Sequence, residues 1–276
     1  MNKSIEQIEA ERIAIEKRVA KAPIVTITGI IDASGSGGCR HQGDRMWRFV
    51  AHLCAWRCED GPVRTQRLRL ERWVSEKGLE AATRRAPAWK MIRCRARLLD
   101  ADPSTEPRAL AIRMMPPGRP HADLDAVRDA LQTPVHRRVP GIGRVTLDRR
   151  IDMWTGRAKW AGGKVEVVLG GDPKAYSTKT FELIQSVAAT AATWDARLKR
   201  HAAKHLVKLK NEAWREDGVK PITSKLFAQR LKLQNWLTRA DRSMEFSFDD
   251  GDLFFGHEIV VSVDPKGRLG EPELHG

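Results

Sequence analysis

Met91–Leu99 reads MIRCRARLL, with Ile92, Cys94, Ala96 and Leu98 alternating against Arg93, Arg95 and Arg97. A period of two sustained over nine residues marks a strand with one face buried and the other in water. Its surroundings set the fold. Ile24–Ile31 is a β-branched run that reads as a buried strand. Trp47–Arg57 gives a second strand pattern. After an Asp60-Gly61-Pro62 turn, Arg64–Val74 gives a third, with Leu68 and Leu70 set against Arg67, Arg69 and Glu71. Glu76–Arg85 reads as a short helix closed by Pro87, and Ala109–Met114 as a fifth strand. Three strands, a helix and two strands is the element order of the OB-fold, a five-stranded Greek-key barrel. The expectation is an OB-like small β-barrel over residues 23–115; a different small barrel or α+β module is the alternative. Ala33–Gly38 (ASGSGG) reads as the loop between the first two strands.

Residues 1–22 read as an N-terminal helix that Ser4 can cap, with Ile5, Ile8, Ile13, Ile15 and Val19 as a partial apolar stripe. Residues 116–140 read as a linker: the rigid run Pro116–Pro120, a short helix at Asp123–Leu131, and a second connector from Pro134 to Pro140. From 141 the pattern changes. Gly143–Arg149, Arg157–Trp160 and Lys164–Leu169 read as strands, and Ser177–Ala192 and Trp194–Trp214 as helices. A helical turn at Ser224–Arg230 follows, then strands at Leu231–Leu237, Met244–Phe248 and Glu258–Val263. Strands, two helices and strands again describe an α+β domain, an antiparallel sheet with its helices on one face.

Four stretches of this second half carry a resemblance. GRVTLDRR (143–150), the Trp160-Ala161-Gly162 turn, the Trp194-Asp195 opening of the long helix and DDGDLFFGHEI (249–259) occur in order. Together they resemble the uncharacterised bacterial domain of unknown function 2262 over residues 141–276. The resemblance implies an α+β domain and carries no catalytic residue. It also loosely implies a protein-binding module of immunity or defence type.

Forty-nine Lys and Arg against 35 Asp and Glu give a formal charge of +14. Between Arg40 and Arg113 the count is 17 to 9, with arginine the main cation. Arginine-rich basic segments are the electrostatic footprint of phosphate and nucleic-acid binders, and an Arg-rich surface without a ligand is the plainer alternative. No apolar run approaches the ~18 residues of a membrane helix. The N-terminus is charged throughout, unlike a signal peptide, so the cytoplasm is the expected location.

Single-stranded nucleic acid is held by backbone cations interleaved with aromatic rings. Arg40, Arg45, Trp47, Arg67, Arg69, Arg93, Arg95 and Arg97 are therefore the candidate nucleic-acid contacts, with Trp56, Trp73 and Trp89 nearby. Such a barrel is expected to be a binding protein rather than an enzyme. The alternatives are an interaction module and a metal-dependent enzyme at Asp249–Glu258, where Asp250, Asp252 and His257 are the weak candidate ligands. An Asp-Asp-Gly-Asp turn whose carboxylates cap their own amides is the simpler reading there, with Asp250 and Asp252 in solvent. His201 and His205 share a helix face, but the residue after the first is Ala202 rather than the glutamate of a zinc protease. Cys54 and Cys58 lack a second pair to complete a zinc site. Gly29–Gly38 lacks the Gly-Lys-Ser/Thr of a phosphate loop and the glycine spacing of a dinucleotide turn, so no cofactor is implied.

Overall fold

The structure, a computed structural model, describes residues 5–41, 44–59, 61–100, 106–116, 118 and 120–276. Ser4, Asp60, Pro117 and Arg119, which enter the expected cap, turn and connector, lie outside the described residues. The chain divides into two compact units, Met1–Thr133 and Pro134–Gly276.

In the first unit α1 (Ile5–Lys21) precedes five strands: β1 (Ile24–Cys39), β2 (Trp47–Cys58), β3 (Leu68–Val74), β4 (Met91–Leu99) and β5 (Arg108–Met115). Helix α2 (Glu76–Arg85) lies between β3 and β4, begun by the Ser75 hydroxyl accepting from the Gly78 amide. The strands close a barrel in the order β1-β2-β3-β5-β4, with only β3 and β5 parallel. This is the OB arrangement. Ile27, Ile31, Phe49, Leu53, Leu68 and Leu70 fill its interior, and the buried Trp56 indole donates to the Gln66 carbonyl at 2.7 Å. Helix α3 (Ala122–Gln132) also belongs to this unit, because Leu124 and Val127 pack on Ile30 and Ala55.

The glycine-rich stretch is strand, not loop. Ser36–Cys39 pair with Ala51–Arg48 after register shifts at Ile30 and Ile31 that bend β1. Gly38 permits this, since a Cβ there would sit 2.5 Å from Leu79 of α2. Glycine inside a strand here marks close approach rather than flexibility.

The second unit is an eight-stranded sheet in the order β13-β12-β11-β10-β9-β8-β7-β6. Its strands are β6 (His136–Val139), β7 (Gly143–Asp148), β8 (Met153–Trp160), β9 (Gly163–Gly170), β10 (Lys232–Arg239), β11 (Met244–Asp249), β12 (Glu258–Val263) and β13 (Glu273–His275). Residues 136–139, read above as connector, form an edge strand on β7. Between β9 and β10 come α4 (Thr178–Ala189), α5 (Ala191–Ala213) and α6 (Ser224–Arg230), and this return makes β9 and β10 parallel, so the sheet is mixed. Ile184 and Val187 of α4 and Leu198, Ala202 and Leu206 of α5 pack on Val167, Trp236, Phe246 and Val261. The Trp160 indole donates to Asp195 at 2.9 Å, tying sheet to helix.

Candidate nucleic-acid interface

Strand parity decides which arginines face water. On β3, Leu68, Leu70 and Val74 are buried, so Arg69, Glu71 and Trp73 point outward. They face Arg48, Val50 and His52 of β2, paired as His52 with Arg69, Val50 with Glu71 and Arg48 with Trp73. This outer face is neutralised from within. Arg69 meets Glu71 at 2.6 Å, and Arg67 meets Asp32 at 2.9 Å and Glu106 at 3.9 Å. Arg48 is buried, bonded to Glu16 of α1 at 2.5 Å, near Glu71 at 3.6 Å, and set 4.5 Å above the Trp73 ring.

The β4–β5 face differs. Neither strand contains an acidic residue, while together they carry Arg93, Arg95, Arg97, Arg108 and Arg113. Arg95 lies opposite Arg113 across the ladder, beside a register shift that leaves both Ile112 and Arg113 exposed. Among the described residues Arg93, Arg95 and Arg113 have no carboxylate partner, and Arg97 donates to the Ala22 carbonyl at 3.1 Å. Like charges this close repel each other, and an approaching polyanion relieves the repulsion. Arg113 was not among the residues read from sequence; the absence of any acid from 91–99 and 108–115 was the available signal.

Arg40 and Arg45 sit at the connection from β1 to β2. Arg40 stacks 5.0 Å from the Trp47 ring, and Trp47 is half-buried against the core. Trp56 is fully buried and Trp89 packs in the cluster under α3. Trp73, 39% exposed, is the most exposed of these rings, with the Arg48 guanidinium already stacked on one of its faces. It lines a cleft of about 830 Å³ between α2 and the barrel end, together with Met46, Arg72, Lys90, Arg93 and Met115. The structure thus brings Trp73 and Arg93 to one opening and holds Arg67 and Arg69 in ion pairs.

Burial first, and then the Arg67 guanidinium, push the His52 imidazole below its ordinary value of 6.5. A base depressed in the folded state takes up its proton more readily when unfolded. Its contribution to stability is therefore full above about pH 6.5 and is lost as pH falls toward the lowered value. Denaturant midpoints at pH 7.5 and 5.5 should fall further in the natural protein than in His52→Gln; equal falls would refute this. Burial also pushes the Cys94 thiol up to about 12. Counting alkylated thiols by mass spectrometry at pH 8 should leave Cys94 unmodified until the chain is unfolded.

The acidic loop of the second unit is a buried turn. Asp250 is 2% exposed rather than in solvent, and its carboxylate accepts from the amides of Asp252 at 3.0 Å, Phe254 at 2.5 Å and Gly256 at 3.3 Å. The solvent reading failed because Phe254, itself fully buried beside Phe227 and Trp214, draws the loop inward. Asp249 accepts from Gly251, and the side chain of Asp252 points outward from an exposed position. His257 bonds the Phe254 carbonyl and meets the Trp214 ring edge-on at 5.1 Å. His201, 4.5 Å from His205, bonds the Gly270 carbonyl. Among the described residues no group of three His, Cys, Asp or Glu is placed to hold a metal ion, and no helix is long and apolar enough to cross a membrane.

No curated protein matches this sequence. Two solved structures share a weak likeness, each at 14% identity and a TM-score of 0.22. A murine DNA-binding protein bound with double-stranded DNA matches over 53% of this chain and 76% of its own. A deletion mutant of the single-stranded DNA-binding protein from Thermus aquaticus matches over 60% and 80%. Likeness at that level carries no weight for function. In sequence, residues 11–131 match a domain of unknown function, DUF7021, and residues 140–274 match the family described as an uncharacterized protein conserved in bacteria, DUF2262.

Proposed function

We propose that the N-terminal barrel binds single-stranded nucleic acid, or another polyanion, along the part of the outer face of β4 and β5 that α1 leaves open, at Arg93, Arg95 and Arg113, and that the protein is a binding module rather than an enzyme. The observation that carries this reading is the row Arg93, Arg95 and Arg113, without a carboxylate partner among the described residues, running to the cleft lined by Trp73. Phosphates replace the missing counter-charges and the exposed indole offers a base a stacking surface. Arg40 and Arg45, at the β1–β2 connection, would extend the basic track, with Trp47 beside them; Arg97 borders it. Arg67 and Arg69 contribute little, since binding through them would first break their ion pairs. The test is the anisotropy of a labelled 20-nucleotide single strand titrated at salt concentrations from about 50 to 300 mM. Counterion release predicts a log–log slope of about −3 or steeper for five phosphate contacts. No binding at about 50 mM salt, or binding indifferent to salt, overturns the proposal.

A further inference from the structure

Arg72 occupies a position that strand parity reserves for the core. It pairs with Phe49 across β2 and β3, in line with the buried Leu70 and Val74, and so points to the barrel end, where it stays half-exposed. There it lines the cleft of about 830 Å³, whose apolar wall includes Phe49, Ile92 and Met114 and whose outer edge carries Trp73. Arg85, Lys90 and Arg93 stand around the same space. None of these four cations has a carboxylate partner among the described residues. A guanidinium over an apolar wall, left without a counter-ion, is stabilised by a ligand that brings its own anion and an apolar or aromatic body. The volume is that of a small-ligand site.

We infer that this cleft is a nucleotide pocket: the base lies against Trp73 and the methionine-lined wall while its phosphate is held by Arg72, with Arg85, Lys90 and Arg93 adding charge. Methionine suits this role because its unbranched, polarizable side chain adapts to different bases. The inference deepens the function proposed above and rests on it in one respect, that the nucleotide can come from a strand lying on β4–β5. The same chemistry fits a free mononucleotide.

The experiment has two arms. In the first, calorimetric titration with AMP is compared with titration by adenosine and by inorganic phosphate. AMP should bind more tightly than either, and Arg72→Gln should weaken it about tenfold or more. Ala81→Trp, which fills the cleft from an exposed site on α2, should do the same if Arg72→Gln unfolds the barrel. In the second, 2-aminopurine is placed at the end or the middle of a 20-nucleotide strand and its emission followed on binding. A change removed by Ala81→Trp identifies a strand nucleotide in the cleft. A strand that binds with a steep salt slope while AMP affinity and aminopurine emission ignore both variants overturns the pocket and leaves the basic face standing. AMP binding that both variants abolish, with no strand binding, keeps the pocket and overturns the strand reading.

Discussion

Replacing Asp250 by alanine should destabilise the C-terminal unit by about 3 kcal/mol. The carboxylate is buried and accepts three backbone amides, at Asp252, Phe254 and Gly256, around a loop in which Gly251, Asp252, Phe255 and Gly256 all take positive φ. Hydrogen bonds to a charged acceptor contribute roughly 1.5–3 kcal/mol each, and an orphaned buried donor costs about 1–3 kcal/mol. The effects overlap, so their sum is not reached. In a unit of this size ~3 kcal/mol corresponds to a fall of about 6–12 °C in the melting transition. Differential scanning calorimetry of the full chain should show that fall in the C-terminal transition. Asp252→Ala, exposed in the same loop, should stay within about 1 kcal/mol. Equal effects from the two substitutions would mean that the carboxylate does not organise the loop.

The second large effect concerns the barrel. Removing Arg93, Arg95 and Arg113 together should lower single-strand affinity roughly a hundredfold at 50 mM salt and flatten the log–log slope by about 2, at about 0.7 per lost phosphate contact. The double substitution Arg67→Ala with Arg69→Ala removes two positive charges against three, yet should change affinity less than about threefold, well short of two-thirds of the logarithmic loss. Those cations already face Asp32, Glu106 and Glu71. Anisotropy titrations of the two variants side by side decide the matter. Losses in proportion to the charges removed would show that net charge, not its distribution, governs binding.

The contrast between those two ladders shows where sequence stops informing. The alternation in MIRCRARLL and the order of elements around it were enough for the barrel, because periodicity reports burial directly. The ion pairs were not legible. Asp32 reaches Arg67 across 35 positions, and nothing local to LRLE says that Glu71 turns onto Arg69. Parity could have exposed Arg72, a charged residue on the apolar side of β3, but at a barrel mouth the same parity has water on one end. Glycines misled in one place. ASGSGG scores as loop by composition, and only the approach of Leu79 to Gly38 explains why a strand needs them. The acidic loop misled in another, since the burial of Asp250 depends on Phe254 finding Phe227 and Trp214, elements distant in the chain.

The one parallel pair in the eight-stranded sheet has a kinetic consequence. β6–β9 and β10–β13 are each a run of neighbouring antiparallel strands whose contacts are local in sequence, joined by short turns except for the loops 250–257 and 264–272. Their sole ladder to one another joins Glu166–Gly170 to Asn235–Arg239, with residues 171–231 and all three helices closing the loop between. Closing a loop of that length must precede any reward from the ladder, so each half-sheet forms early and the seam closes late. A mild truncation at the seam, such as Val168→Ala, should then speed unfolding while leaving the refolding rate almost untouched, whereas Val260→Ala, inside one half-sheet, should slow refolding. If those rates hold, this unit assembles by joining two half-sheets through the helices that pack on both of them.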